Sequence, residues 1–355
     1  MAILVPLNSY SQMKKLAILS FALCIIAGSA AMAQVRNLPG TKLRPDETVL
    51  LYGDRLIDNT DPVVAAKVTS AGFEMLCDNG LTGEEEINPS GNIGNIGVNA
   101  RFDLYFPKKP NGQMVIVCPG GGYGIVSSYN EGIYVADWML SKGITVAVVK
   151  YRLPNGHWEV PLTDVQNTFR YCRAHAEEWG VSQIGVMGFS AGGHLACSAS
   201  NLFVDDVTRP DFSILMYPVI TFGPATHGGT KRSLIGPESR WNDRSKSVCD
   251  WEKDMAQYAE LQRRYTLENQ VSKDTPVTFL AHCTDDNVVP VINSIMYYTR
   301  LVDNGVPAEM HIYPVGGHGW GFSSEKFVGK GNDRFIYARQ EFEKSLERWL
   351  KGLAE

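Results

Sequence analysis

Gly188-Phe189-Ser190-Ala191-Gly192-Gly193 sets a hydroxyl between glycines two residues before it and two after. The motif follows an apolar run at 184–187 and precedes a helix-like run from 191, so the chain must turn sharply at the serine. Larger side chains at 188 and 192 would clash in so tight a bend, and the corner pushes the Ser190 hydroxyl into the open. Backbone N–H groups at the helix N-terminus there favour developing negative charge. The chemistry expected of such a serine is attack on a carbonyl carbon. A hydroxyl at its ordinary pKa is a poor nucleophile, so a base and a group that orients it must come from elsewhere in the chain.

His318 lies in Pro314-Val315-Gly316-Gly317-His318-Gly319-Trp320, just after a strand-like run at 309–313. Its glycine neighbours let the loop carry an imidazole to the serine, which makes His318 the candidate base. His282 lies inside a strand run and His194 one turn into the helix that follows Ser190, so both are expected to be structural. The acid is expected in Asp285-Asp286-Asn287-Val288-Val289-Pro290, after a strand at 277–282. Residue types leave both aspartates open there, with the unused one capping the next helix or facing solvent. Cys118-Pro119-Gly120-Gly121-Gly122-Tyr123 closes a strand at 114–118 and offers N–H groups free of side-chain interference. With the N–H of Ala191 it fits an oxyanion hole, where one lost donor costs about 3 kcal/mol of transition-state stabilisation. No Gly-Lys-Ser/Thr follows, which disfavours a phosphate loop. This set of groups requires neither metal nor organic cofactor.

The elements that must position these residues alternate. Strands are expected at 101–106, 114–118, 145–149, 184–187, 213–217, 277–282 and 309–313, and helices at 133–141, 162–179, 191–201, 291–304 and 334–351. Several strands are continuous apolar runs, as in strands covered on both faces. The rhythm predicts an α/β domain over 101–355, a mostly parallel central sheet with helices on both faces. Residues 34–100 read as an N-terminal extension and loops. Two stretches break the pattern: 77–99, read as a surface loop, and 221–262, read as an inserted cover over one sheet end.

The chain has 355 residues, 44% apolar and 20% charged, which excludes a disordered or collagen-like chain and a small disulfide scaffold. Thirty-three Lys and Arg against 38 Asp and Glu leave no basic field for nucleic acid. Residues 1–33 read as a signal peptide: Met13-Lys14-Lys15, an apolar stretch at 16–27, then Ala31-Met32-Ala33. Export to a periplasmic or extracellular space is therefore expected, with no stable membrane insertion once the leader is removed. The seven cysteines contain no CxxC pair, and most read as buried free thiols.

The segments 119–123, 130–132, 150–153, 188–194, 286–290 and 316–319 together resemble the α/β-hydrolase superfamily, in its secreted acetylxylan-esterase-like branch of carbohydrate esterases. The resemblance implies Ser190, Asp286 and His318 as nucleophile, acid and base, in the chain order of that fold. Asp286 is selected over Asp285 because it opens a D-x-V-V-P pattern, and Gly121 and Gly122 fall on the oxyanion glycines. Pro119 departs from the histidine of many relatives, and 221–262 is unusually long. The implied activity is hydrolysis of acetyl esters on plant polysaccharide such as acetylated xylan. A feruloyl or other carboxylesterase is an alternative, as is a serine peptidase of the prolyl-oligopeptidase type. Those peptidases usually carry a β-propeller, for which the stretch before the first core strand has no room. A non-catalytic binding protein on the same scaffold typically lacks a triad member or an oxyanion glycine, and every one is present. Tyr123, Tyr129, Trp158 and Trp320 lie near loops at the sheet's C-terminal edge. Tyr123 and Trp320 are the candidates for stacking on a sugar ring, with the support of those loops as the competing role.

Overall fold

The structure is a computed structural model that describes residues 43–57, 61, 63–88, 90–322 and 333–354. The expected leader lies outside the described residues. Eleven strands occur among them: β1 (Glu47–Tyr52), β2 (Val68–Phe73), β3 (Glu86–Ile87), β4 (Ile93–Gly94), β5 (Arg101–Tyr105), β6 (Gln113–Cys118), β7 (Thr145–Lys150), β8 (Gln183–Phe189), β9 (Phe212–Met216), β10 (Val277–Cys283) and β11 (Ala308–Tyr313). Nine form one sheet in the order β11-β10-β9-β8-β6-β7-β5-β1-β2. Within it β5 alone opposes its neighbours, pairing antiparallel with β1 and β7.

The helices are α1 (Tyr134–Ser141), α2 (Val160–His175), α3 (Ser190–Asn201), α4 (Gly228–Ile235), α5 (Glu238–Trp241), α6 (Val248–Arg264), α7 (Ile292–Asp303) and α8 (Asp333–Ala354). One sheet face packs against α2, α3 and α7 through Phe169, Leu195 and Leu301, and the other against α1 and α8 through Met139, Phe342 and Leu346. This is why β6, β7 and β9 are buried along their whole length and mostly apolar. Because β6, β8, β10 and β11 run parallel, the loops that follow them emerge at the same edge, where such sheets hold their ligands. Among the described residues no helix is long and apolar enough to cross a membrane.

The described part of residues 34–100 is more than extension and loops. β1 is buried at every position between β5 and β2, while β2 is an edge strand of alternating exposure and so gives a weak apolar signal. The 77–99 stretch also departs from a plain surface loop. It contains the β3–β4 hairpin, and Ile93 is fully buried and bridges Val126, just beyond the glycine triplet. Residues 221–262 form α4, α5 and most of α6, between β9 and β10. All six cysteines among the described residues are free thiols, with Cys118, Cys172, Cys197 and Cys283 buried and Cys249 exposed.

A buried charge cluster ties the N-terminal segment to the sheet. Lys150 on β7 donates to Asp103 (2.6 Å), to Asp61 and to the carbonyl of Val63 (2.9 Å). Arg101 on β5 forks onto Glu85 at 2.6 and 2.9 Å and reaches Asp61 at 3.1 Å. Burial alone would lower the Lys150 pKa, but Asp103 and Asp61 hold it above the ordinary value. Removing one member of such a set leaves uncompensated charge in the interior. Lys150→Met is therefore expected to lower the unfolding free energy by about 3–5 kcal/mol, read from urea titration.

His194 joins α3 to the inserted segment. Its Nδ1 accepts from the Tyr123 hydroxyl (3.1 Å), its Nε2 donates to the Tyr265 carbonyl (3.0 Å), and its ring stacks on Phe222. Burial lowers its pKa to about 4. Between that value and the ordinary 6.5 or so of an unfolded histidine, the unfolded chain takes up the proton and the folded chain does not. Stability should therefore rise with pH across this window, and acidification from pH 6.5 to 4 should cost up to about 3 kcal/mol through this group. His194→Gln should flatten that part of the stability profile relative to the parent chain, as measured by urea midpoints at a series of pH values.

Candidate active site

The corner between β8 and α3 is built by steric exclusion. A Cβ at Gly188 would lie 2.1 Å from the Gly192 carbonyl oxygen, and one at Gly192 would lie 2.1 Å from that of Cys118. One at Gly193 would meet Pro218 at 2.7 Å. Ser190 itself sits at φ 52°, the left-handed region that non-glycine residues seldom occupy. Such strain persists only where the surroundings over-determine it.

Two loops converge on that serine. His318 Nε2 lies 2.8 Å from Ser190 Oγ, and His318 Nδ1 lies 2.7 Å from Asp286 Oδ2. The other carboxylate oxygen accepts from the backbone N–H groups of Val288 and Val289, both at 2.9 Å. His282 approaches the same Asp286 Oδ2 at 3.2 Å, while its Nε2 donates to the Val289 carbonyl (2.9 Å) and the Ser294 hydroxyl meets its Nδ1 at 2.8 Å. Burial pushes the Asp286 carboxyl up, but hydrogen bonds from His282 and His318 hold it well below the usual carboxylate range. Asp285 caps no helix and is half-buried. It accepts from the N–H of Gly317 (2.6 Å) and of Gly316 (3.4 Å), fastening the loop that carries His318.

The glycine triplet runs beside the serine. A Cβ on Gly120 would touch that of Ser190 at 3.0 Å, and one on Gly121 (φ 125°) would lie 2.3 Å from the Ile125 carbonyl oxygen. Among the described residues the N–H groups of Gly121, Gly122 and Ala191 have no acceptor, whereas that of Gly120 donates to Glu131 Oε2 at 2.7 Å. Glu131 lies in a buried, widened π-turn (Tyr129–Ile133). Its Oε1 accepts from the Tyr217 hydroxyl (2.8 Å), which in turn accepts from the N–H of Gly321 (3.0 Å). The Tyr217 ring stands edge-on to His318, with centroids 4.9 Å apart. Burial raises the Glu131 pKa, and the hydrogen bonds from Tyr217 and Gly120 offset part of that rise. Glu131 and Tyr217 thus brace the glycine loop against the histidine loop.

The aromatic expectations are corrected. Trp320 is fully buried, packed edge-on against Tyr217 and Phe342. Tyr123 is 2% exposed, with its hydroxyl spent on His194. Both rings are packed beneath the loops, and neither has a free face on which a sugar ring could stack. Sequence reading missed Tyr217, the contact of His282 with Asp286, and His227. The last comes from the inserted segment and caps α4 by accepting from the Thr230 N–H (3.2 Å). Its ring comes within 3.8 Å of where a Gly122 Cβ would stand, and burial followed by the nearby His318 lowers its pKa. Of these supports only Glu131 had a signal in the sequence, as part of the 130–132 segment shared with the resembled family.

Such an arrangement can move a proton from Ser190 Oγ to His318 Nε2, with Asp286 opposite the charge that forms and unused N–H donors beside the reacting hydroxyl.

Residues 102–301 match the BD-FAE family model. An acetylxylan esterase of Xylanibacter ruminicola is 36% identical over 259 residues, 72% of this chain and 48% of that protein. The chain thus spans about half the length of this curated relative. The solved acetyl ester-xyloside bifunctional hydrolase of Caldicellulosiruptor lactoaceticus is 30% identical with a TM-score of 0.54, covering 72% of this chain and 88% of that one. The carboxylesterase Cest-2923 of Lactobacillus plantarum, 20% identical with a TM-score of 0.56, shares the fold over 76% of this chain and 97% of its own. The sheet order, the glycine-built corner and the family match over more than half the chain converge: the protein belongs to the BD-FAE family and has the α/β-hydrolase fold.

Proposed function

We propose that the chain is an exported serine carboxylester hydrolase that removes acetyl groups from acetylated xylan or its oligosaccharides. The observation that carries this reading is the unbroken path Ser190–His318–Asp286, at 2.8 and 2.7 Å. His318 takes the Ser190 proton as the hydroxyl oxygen bonds to the ester carbonyl carbon. Asp286 fixes the tautomer with the proton on Nδ1 and balances the imidazolium. Gly121, Gly122 and Ala191 donate to the oxyanion. When the tetrahedral adduct collapses, the C–O bond to the sugar breaks and His318 returns the proton to the departing alkoxide. Water then repeats the sequence on the acetyl-serine, releasing acetate and restoring the hydroxyl.

The substrate class is supported by the name of the acetylxylan esterase relative and by the acetyl ester and xyloside for which the solved bifunctional hydrolase is named. Export is supported by the leader-like residues 13–33 and by the size of polysaccharide, which must be cut outside the cell.

Ser190→Ala should lower turnover of 4-nitrophenyl acetate and acetate release from acetylated xylan at least about 10⁴-fold while leaving the circular dichroism spectrum intact. Retained activity in that variant would defeat the mechanism, and absence of acetate release by the parent chain would defeat the substrate. Asp286→Ala should cost about 10⁴-fold in kcat. Asp285→Ala, which only loosens the histidine loop, should cost no more than about 10²-fold. Steady-state kinetics on one chromogenic ester compares the two.

A further inference from the structure

The two stretches that broke the α/β rhythm meet across one cleft. It has a volume of about 380 Å³ and lies between the 77–99 segment and helices α4 and α5. Its wall includes Tyr123 and Gly124, so it opens on the residues directly after Gly122. That size falls within the roughly 300–1,000 Å³ of small-molecule sites.

The polar lining has a definite chemistry. Arg232 from α4 and Arg240 from α5 both border the cleft, both are exposed, and neither forms an ion pair with a carboxylate among the described residues. Arg240 lies over the Trp241 ring at 5.3 Å and donates once, from Nη1 to the Gly156 carbonyl at 3.2 Å. A guanidinium carries five N–H donors, so most of them remain unspent on protein. Glu86 is the one acid on the wall, so the cleft carries an excess of positive charge in a chain of net charge −5. Asn95 and Asn155 complete the lining. The Asn95 amide nitrogen donates to the carbonyls of Thr82 and Glu84, each at 2.9 Å, and that of Asn155 to the Asn79 carbonyl at 2.9 Å. Both Asn95 donors and one of the two Asn155 donors are committed to backbone, and their Oδ1 atoms are left as acceptors.

Unspent guanidiniums call for an anion, and paired amide acceptors call for hydroxyl donors. Both occur together in a sugar acid. We propose that this cleft is a subsite for a uronic acid residue carried by the polysaccharide, its carboxylate held by Arg232 and Arg240 and its hydroxyls by Asn95 and Asn155. The inference rests on the esterase reading for its place in the reaction, because the cleft then holds the alcohol portion of the ester. Neutral xylan offers the hydroxyls but not the anion, and this difference is what the experiment reads.

Inhibition of 4-nitrophenyl acetate hydrolysis is measured with a xylo-oligosaccharide bearing one glucuronic acid and with the neutral oligosaccharide of equal length. The acidic ligand should bind about tenfold more tightly at low salt, and the advantage should shrink in about 0.5 M NaCl. In the double variant Arg232→Gln/Arg240→Gln the ratio of the two inhibition constants should fall towards one. Equal inhibition by both ligands in the parent chain, or a ratio unchanged in the double variant, would overturn the proposal. Calorimetric titration of the same two ligands into Ser190→Ala separates this question from the chemistry. A preference for the acidic ligand there upholds the subsite even if ester hydrolysis fails, and no preference removes it even if hydrolysis succeeds.

Discussion

The close passage of the β8–α3 corner against the end of β6 is the constraint on which the rest of the site depends. Gly192 lies so near the Cys118 and Pro119 carbonyls that a single added carbon would overlap both. This contact holds Ser190 at its unfavourable φ and fixes the distance between the nucleophile corner and the glycine triplet. Strain at one residue and the absence of side chains at its neighbours are therefore two aspects of the same packing. The parallel arrangement of β6, β8, β10 and β11 then delivers the other loops to that corner without a separate device.

Electrostatic order is layered around this geometry. Asp286 is buried, yet two imidazoles and two backbone amides surround its carboxylate. An ionised group in such a place keeps its charge because fixed dipoles replace water. The opposite case stands on the glycine-loop side of the site. Glu131 has only a hydroxyl and one amide, so burial prevails and its pKa rises. Two carboxyl groups beside the same histidine thus differ because their donors differ.

Ser190, His318 and the glycine triplet were legible in the sequence because each lies in a local pattern dense in glycine that has a steric explanation. The choice between Asp285 and Asp286 was not legible from residue type, since both accept hydrogen bonds near His318 and only the pattern shared with a family separated them. Trp320 and Tyr123 misled for a related reason: an aromatic ring at the end of a sheet fills a gap as readily as it lines a groove, and burial decides which. The strands of 101–355 could be read because two-sided burial makes them continuously apolar. β2 could not, because an edge strand needs only half of its residues apolar. Tyr217 acts through a contact across the fold, 86 residues from Glu131, and no local spacing reports it. His282 lies only four residues from Asp286, but its place inside a strand gave no sign that the chain would turn back onto it.

The buried cluster of Lys150, Asp61, Asp103, Arg101 and Glu85 bears on how this chain can diverge. Each member compensates at least one other, so a neutral replacement at one position leaves its direct partners short of opposite charge. The N-terminal segment that supplies Asp61 and Glu85 is thereby tied by charge to the sheet that supplies Arg101, Asp103 and Lys150, so a neutral replacement on one side is best tolerated with a matching change on the other.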